Sequence, residues 1–173
     1  MKKSVIFIFA IVICFILSAC GAGDVGSAEY MAEKQKISEA SSATESEPEP
    51  IWTNDFTGLT ECFEWHSYVL KDTKSQTLAG VIGADEGVRY KAQVGKSNFY
   101  VELYSYDPNN LNDKASSIIN EIQQTGQFTM MDYSVSAVMS NNNKYMMIYS
   151  DTSNDELNLN TKQEVIDTFV TFQ

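Results

Sequence analysis

The residues best equipped for chemistry are few, and their spacing argues against most of what they could do. The only histidine, His66, stands four residues after Cys62, the one cysteine beyond residue 20. On a helix that spacing puts a thiol and an imidazole on one face, the minimum for nucleophilic chemistry. It is equally the arrangement of a small buried hydrophobe beside a hydrogen-bonded core histidine. With Glu61 and Glu64, His66 offers at most one imidazole and two carboxylates, and on a helix Glu64 points away from it, so no metal site is expected. Residues 151–156 (DTSNDE) place oxygen atoms at positions 1, 3 and 5 of a calcium-type loop. Position 6, however, is Glu156 where a sharp turn wants glycine, and position 12 is Lys162 where a glutamate is needed. A solvated loop is the expectation there. Val94-Gly95-Lys96-Ser97 lacks the first glycine of a phosphate-binding loop and falls in a hairpin. With no nucleophile elbow either, the expectation is a chain that is not an enzyme, with no catalytic residue and no cofactor.

A non-catalytic feature stands out more. Tyr100, Tyr104 and Tyr106 recur at even spacing, and Tyr145 and Tyr149 bracket a second apolar run. Tyrosine offers a flat apolar body with a polar tip, so these five are the candidate binding surface for a glycan, a peptide or a protein. The competing arrangement has helices covering that face and the rings filling the core.

The elements that would position them follow from periodicity. Val88, Tyr90, Ala92 and Val94 alternate with polar residues, Gly95-Lys96-Ser97-Asn98 supplies a turn, and Phe99, Val101 and Leu103 form the inward face of the next strand. Ala115, Ile118, Ile119 and Ile122 follow helical spacing, with Asn110 and Asp113 placed like a capping box and Gly126 past the end. Tyr133, Val135, Ala137 and Met139 alternate again, YMMIY (residues 145–149) makes a fourth strand, and Thr161 with Glu164 opens a final amphipathic helix. The order ββα-ββα predicts an α+β fold, an antiparallel sheet of about four strands with helices on one face. Residues 55–70 suit a helix through Leu59, Cys62, Phe63, His66 and Leu70, while their aromatic and β-branched content also suits a strand.

Ahead of this domain, assigned to residues 51–173, the chain changes character. Lys2 and Lys3 precede an apolar run of 13 residues, 5–17, the length of a secretory leader and too short to span about 30 Å of hydrocarbon. Leu17-Ser18-Ala19-Cys20, followed by Gly21, resembles a bacterial lipobox. That resemblance implies a signal peptide over residues 1–19, cleavage between Ala19 and Cys20, and lipid on the Cys20 thiol. Membrane attachment on the extracytoplasmic face follows, since two acyl chains at ~0.8 kcal/mol per buried methylene anchor stably. Residues 20–50 are rich in Ser, Ala, Glu and Gly and read as an acidic flexible tether. Without Lys2 and Lys3, ten basic residues face 23 acidic ones, a net charge near −13, which excludes nucleic acid as a partner.

Gly83-Ala84-Asp85, Gly87-Val88-Arg89-Tyr90 and Val101-Glu102-Leu103-Tyr104-Ser105-Tyr106-Asp107 are similar to stretches in small, uncharacterised lipoproteins of Gram-positive bacteria, with Lys96-Ser97-Asn98 marking a longer hairpin turn here. The resemblance implies no activity. The expected function is a membrane-anchored binding module for an envelope protein, peptide or glycan. The alternatives are an envelope-associated hydrolase using His66 and a structural accessory subunit of a membrane complex.

Overall fold

A computed structural model describes residues 48–173. Residues 1–47, and with them Ala19, Cys20 and nearly all of the 20–50 segment, lie outside the described residues. Helix α1 (Phe56–Trp65) starts where the Asp55 carboxylate accepts the Gly58 N–H at 2.8 Å, and it buries Leu59, Cys62 and Phe63 on one face. The 55–70 region is therefore helical in its first part only. His66 is the C-cap and Leu70 is exposed, because Ser67 turns into the left-handed region (φ 57°) and redirects the chain.

Seven strands follow in an α+β arrangement: β1 (Ser75–Gln76), β2 (Glu86–Val94), β3 (Ser97–Ser105), β4 (Gln127–Met130), β5 (Tyr133–Ser136), β6 (Val138–Met139) and β7 (Tyr145–Tyr149). Five of them form an antiparallel sheet in the order β1-β2-β3-β7-β6, while β4 and β5 form a separate two-stranded sheet. Helix α2 (Asp113–Thr125) lies between β3 and β4, and α3 (Glu156–Thr171) ends the chain.

The expectation of helices on one face is corrected by where the apolar residues go. Val88, Tyr90, Phe99, Val101, Leu103, Met147 and Tyr149 pack with Phe63 of α1 and Val165 and Phe169 of α3. Tyr104, Tyr106 and Met146 project from the opposite face and pack with Ala115, Ile118, Ile119 and Ile122 of α2 and with Phe128 of β4. Alternation along a strand sends neighbours to opposite faces, so an unbroken apolar run such as YMMIY needs cover on both. Each large side chain fully buried this way contributes roughly 1.5–3 kcal/mol.

Three local expectations are also revised. The β2–β3 turn is shorter than four residues: Val94 pairs directly with Ser97, and Gly95 takes the positive φ (56°) that a two-residue loop requires. The alternating run through residue 139 is one sequence pattern but two strands. Ala137 gives its N–H to the Gly126 carbonyl at 3.0 Å, so β5 pairs with β4 while β6 pairs with β7. Finally, the helices start at different caps from those expected. Asp155 caps α3 well before Thr161, and Asn112, not Asn110, caps α2.

Asn112 does two jobs. Its Oδ1 accepts the Ala115 N–H at 2.9 Å, and its Nδ2 donates to the Gly83 carbonyl at 3.0 Å, fastening α2 to the loop before β2. Gly83 sits at φ 74°, and a Cβ there would lie 2.5 Å from Asn112 Oδ1, so both the conformation and the space call for glycine. Asn112→Ala should cost about 1–2 kcal/mol in urea unfolding, whereas Asn110→Ala should stay within about 0.5 kcal/mol. Equal losses would contradict the assignment of the cap.

Candidate functional site

Arg89 on β2 lies directly opposite Glu102 on β3, and both point to the α2 side of the sheet beyond the helix itself. Arg89 Nε donates to Glu102 Oε1 at 2.7 Å, and Nη2 donates to the same oxygen. The Tyr104 hydroxyl donates to Glu102 Oε2, so the two carboxylate oxygens serve different partners. The guanidinium carbon stands 5.0 Å over the Tyr100 ring. These contacts shift the groups in the expected directions. The bond to Glu102 raises Arg89 further, and burial, reinforced by the same carboxylate, pushes the Tyr104 phenol well above its ordinary value. Tyr104 can lie flat because Gly87 is opposite: a Cβ at 87 would sit 2.6 Å from the ring and 2.3 Å from Thr77 Oγ1.

Arg89, Glu102 and Tyr104 floor a groove of about 410 Å³. One wall is the 77–82 segment, carrying Leu78 and Val81, and the other is the β4–β5 hairpin, carrying Met130 and Met131. Leu78 and Met131 are 83% and 79% exposed, one on each wall. The hairpin tip is a two-residue turn in which Met131 and Asp132 both take positive φ (49° and 67°). Asn-Gly is the favoured pair in such a turn, so a methionine is held at the tip against its own conformational preference. Among the described residues no helix is long and apolar enough to cross a membrane.

The tyrosine surface expected from the sequence does not form. Tyr104, Tyr106, Tyr145 and Tyr149 are buried, and only Tyr100 is substantially accessible, at 44%. Tyr145 and Tyr149 also face the α1/α3 core, while Tyr104 and Tyr106 face α2. The spacing correctly puts Tyr100 and Tyr104 on one face, but two faces of the sheet share the set, and helices cover both where the other four rings lie. The groove keeps one of its members, Tyr104, as a buried donor, while Tyr100 lies outside the lining, under the Arg89 guanidinium. Its exposed rim was not foreseen. Leu78 and Met131 lie outside any periodic run, and the only signal was an apolar Met130-Met131 pair in a turn-sized gap.

The other sequence candidates are placed elsewhere. His66 is half-buried, stacked on Tyr68 (centroids 5.0 Å apart) and edge-on to Trp65 (4.7 Å). Glu64 turns to the sheet side, accepting the Tyr90 hydroxyl at 2.8 Å and pairing with Lys71 at 3.3 Å and Lys74 at 3.6 Å. Among the described residues no group of three or more His, Cys, Asp or Glu side chains is placed to hold a metal ion. The calcium-like stretch is not a solvated loop at its start. Asp151 is buried and accepts the Ser97 hydroxyl at 3.0 Å, the Ser153 N–H at 2.9 Å and the Asn158 side-chain amide. It thereby ties the β2–β3 turn to the start of α3.

Compared with known proteins, the chain matches no family model, no curated protein and no solved structure.

Burial on its own would raise the Asp151 carboxyl, but the hydrogen bonds from Ser153, Asn158 and Ser97 outweigh it and hold the group below the usual carboxylate range. A depressed folded value means that Asp151 stabilises the fold above its unfolded value of about 3.9, and that this contribution fades as pH falls below that point. Asp151→Asn should cost about 1–3 kcal/mol at pH 7 and progressively less below about pH 4. A stability difference between the two proteins that does not change with pH would contradict this reading.

Proposed function

We propose that the protein is a lipid-anchored extracytoplasmic binding module. On this reading Cys20 carries the lipid, residues 20–50 provide clearance from the bilayer, and the groove between the 77–82 segment and the β4–β5 hairpin makes the contact. The observation that carries it is the groove itself, with Leu78 and Met131 exposed on opposite rims above Arg89 and Glu102. Exposed apolar side chains around a concave polar floor match the usual make-up of a recognition site, in which apolar area supplies affinity and a few polar groups fix orientation. The Arg89 side chain is half exposed although ion-paired, so the guanidinium keeps surface to offer a ligand. The ligand class is an envelope protein, peptide or glycan that lays an apolar group between the rims and a hydrogen-bond acceptor against Arg89.

The mature chain's acidity fits the same role by repelling polyanions, and the two acyl chains at Cys20 would confine the search for a ligand to the membrane surface. Two substitutions at largely exposed positions test the contact without disturbing the core. The full chain should retain an envelope component in pull-downs, and the Leu78→Asp/Met131→Asp double variant should lose at least about tenfold of it, because each charge would meet an apolar partner. Retention unchanged in the double variant would remove the groove from the account. In parallel, Cys20→Ala should abolish incorporation of labelled fatty acid and leave the precursor uncleaved. Normal lipid labelling of that variant would refute the anchor.

A further inference from the structure

The β4–β5 hairpin leaves a second place unfilled, and backbone geometry says what kind of molecule fits it. Strand β5 is the edge of its two-stranded sheet. Because the hairpin loop has only two residues, the flanking pair Met130–Tyr133 exchanges hydrogen bonds, and so does the pair Phe128–Val135 two residues further on. Ser134 and Ser136 are then the residues whose N–H and C=O groups point away from β4. Both are exposed.

What they point towards is a cleft of about 500 Å³, lined by residues 134–136 of β5 on one side and by Ile148, the 150–154 loop, Leu159 and Lys162 on the other. It shares no lining residue with the groove described above. The cleft exists because β6 begins only at Val138, opposite Met147, and the chain upstream of it runs apart from β7 to pair with β4. Leu159 is 48% exposed there, Val135 and Ile148 are half-buried, and Lys162 holds its ammonium 5.7 Å from the centre of the Tyr149 ring. The acidic group at the cleft, Asp151, is taken up by Ser97, Ser153 and Asn158.

We infer that this cleft accepts an extended peptide as an added strand on β5. The peptide takes backbone hydrogen bonds from Ser134 and Ser136 over a register of about four residues, sets an apolar side chain against Leu159 and Ile148, and places a carboxylate at Lys162. A row of outward N–H and C=O groups at strand spacing is matched by another strand and by little else. Alternate side chains of that strand meet the cleft, and Lys162, the cationic residue lining it, selects an acidic group within about a Debye length in an otherwise acidic chain.

A random heptapeptide library displayed on phage and panned on the purified full chain tests this. The expected outcome is enrichment of peptides with apolar residues two apart and an acidic residue at one end. Ser136→Pro removes an outward N–H that the β4 ladder does not use, so the hairpin survives while the edge is blocked. The enriched peptides should bind this variant at least about tenfold more weakly, with circular dichroism unchanged. Lys162→Glu should keep the apolar preference and lose the acidic one. Three results would overturn the proposal: no enrichment over a blank surface, enriched peptides that bind Ser136→Pro as tightly, or a wild-type dimer that Ser136→Pro turns into a monomer, which would make the edge a self-association surface. Neither variant touches the Leu78–Met131 groove, so failure here is separate from failure there.

Discussion

Strands β3 and β7 lie side by side and bury apolar groups on both faces, and this sets the rest of the architecture. A strand with Leu103 and Met147 on one face and Tyr104 and Met146 on the other cannot leave either face in water without exposing several large side chains. One face is closed by α1 and α3, which bring Phe63, Val165 and Phe169 to it. The other is closed by α2 and the hairpin, through Ile118, Ile119, Ile122 and Phe128. The two cores are distinct sets of side chains joined through shared backbone.

Cover on the second face is incomplete, and that is where both proposed contacts lie. α2 reaches Tyr104 and Tyr106 but not Arg89, Lys91 or Tyr100, so half of that face stays open and polar. The hairpin bridges part of the gap by leaving β7 at Ala137. Its departure creates two concavities, one towards the 77–82 segment and one towards the 150–154 loop. A two-stranded hairpin is marginal alone, and here the packing of Phe128 and Val135 against the α2 core supports it. Its tip remains free to display Met131.

The sequence carried the α+β class, the β2–β3 hairpin and the α2 helix because each has an uninterrupted period: Val88-Tyr90-Ala92 for the strand, Ala115-Ile118-Ile119-Ile122 for the helix. The two-sided sheet was written there too, in YMMIY, which has no polar face to give to solvent. It was hidden by helices whose own faces say nothing about which side they pack on. The β5/β6 split was not legible, since Tyr133, Val135, Ala137 and Met139 alternate straight through a bend set by the distant Gly126 carbonyl. The candidate site was harder still. Arg89, Glu102 and Tyr104 are ordinary strand residues until cross-strand register brings them together, and exposure of Leu78 depends on a short segment that has no period at all.

Sharing β3 and β7 should couple the two cores on opposite faces into one cooperative unit. Native-state hydrogen exchange on Phe63→Ala tests it most directly, since Phe63 is fully buried in the α1/α3 core and removing it should cost about 3–5 kcal/mol. The account predicts that amides of Ile119 and Ile122 in α2, across the sheet from the substitution, lose protection by the same free energy as those of Met147. If the α2 amides keep their wild-type protection while Met147 loses it, the cores unfold independently and the account is wrong.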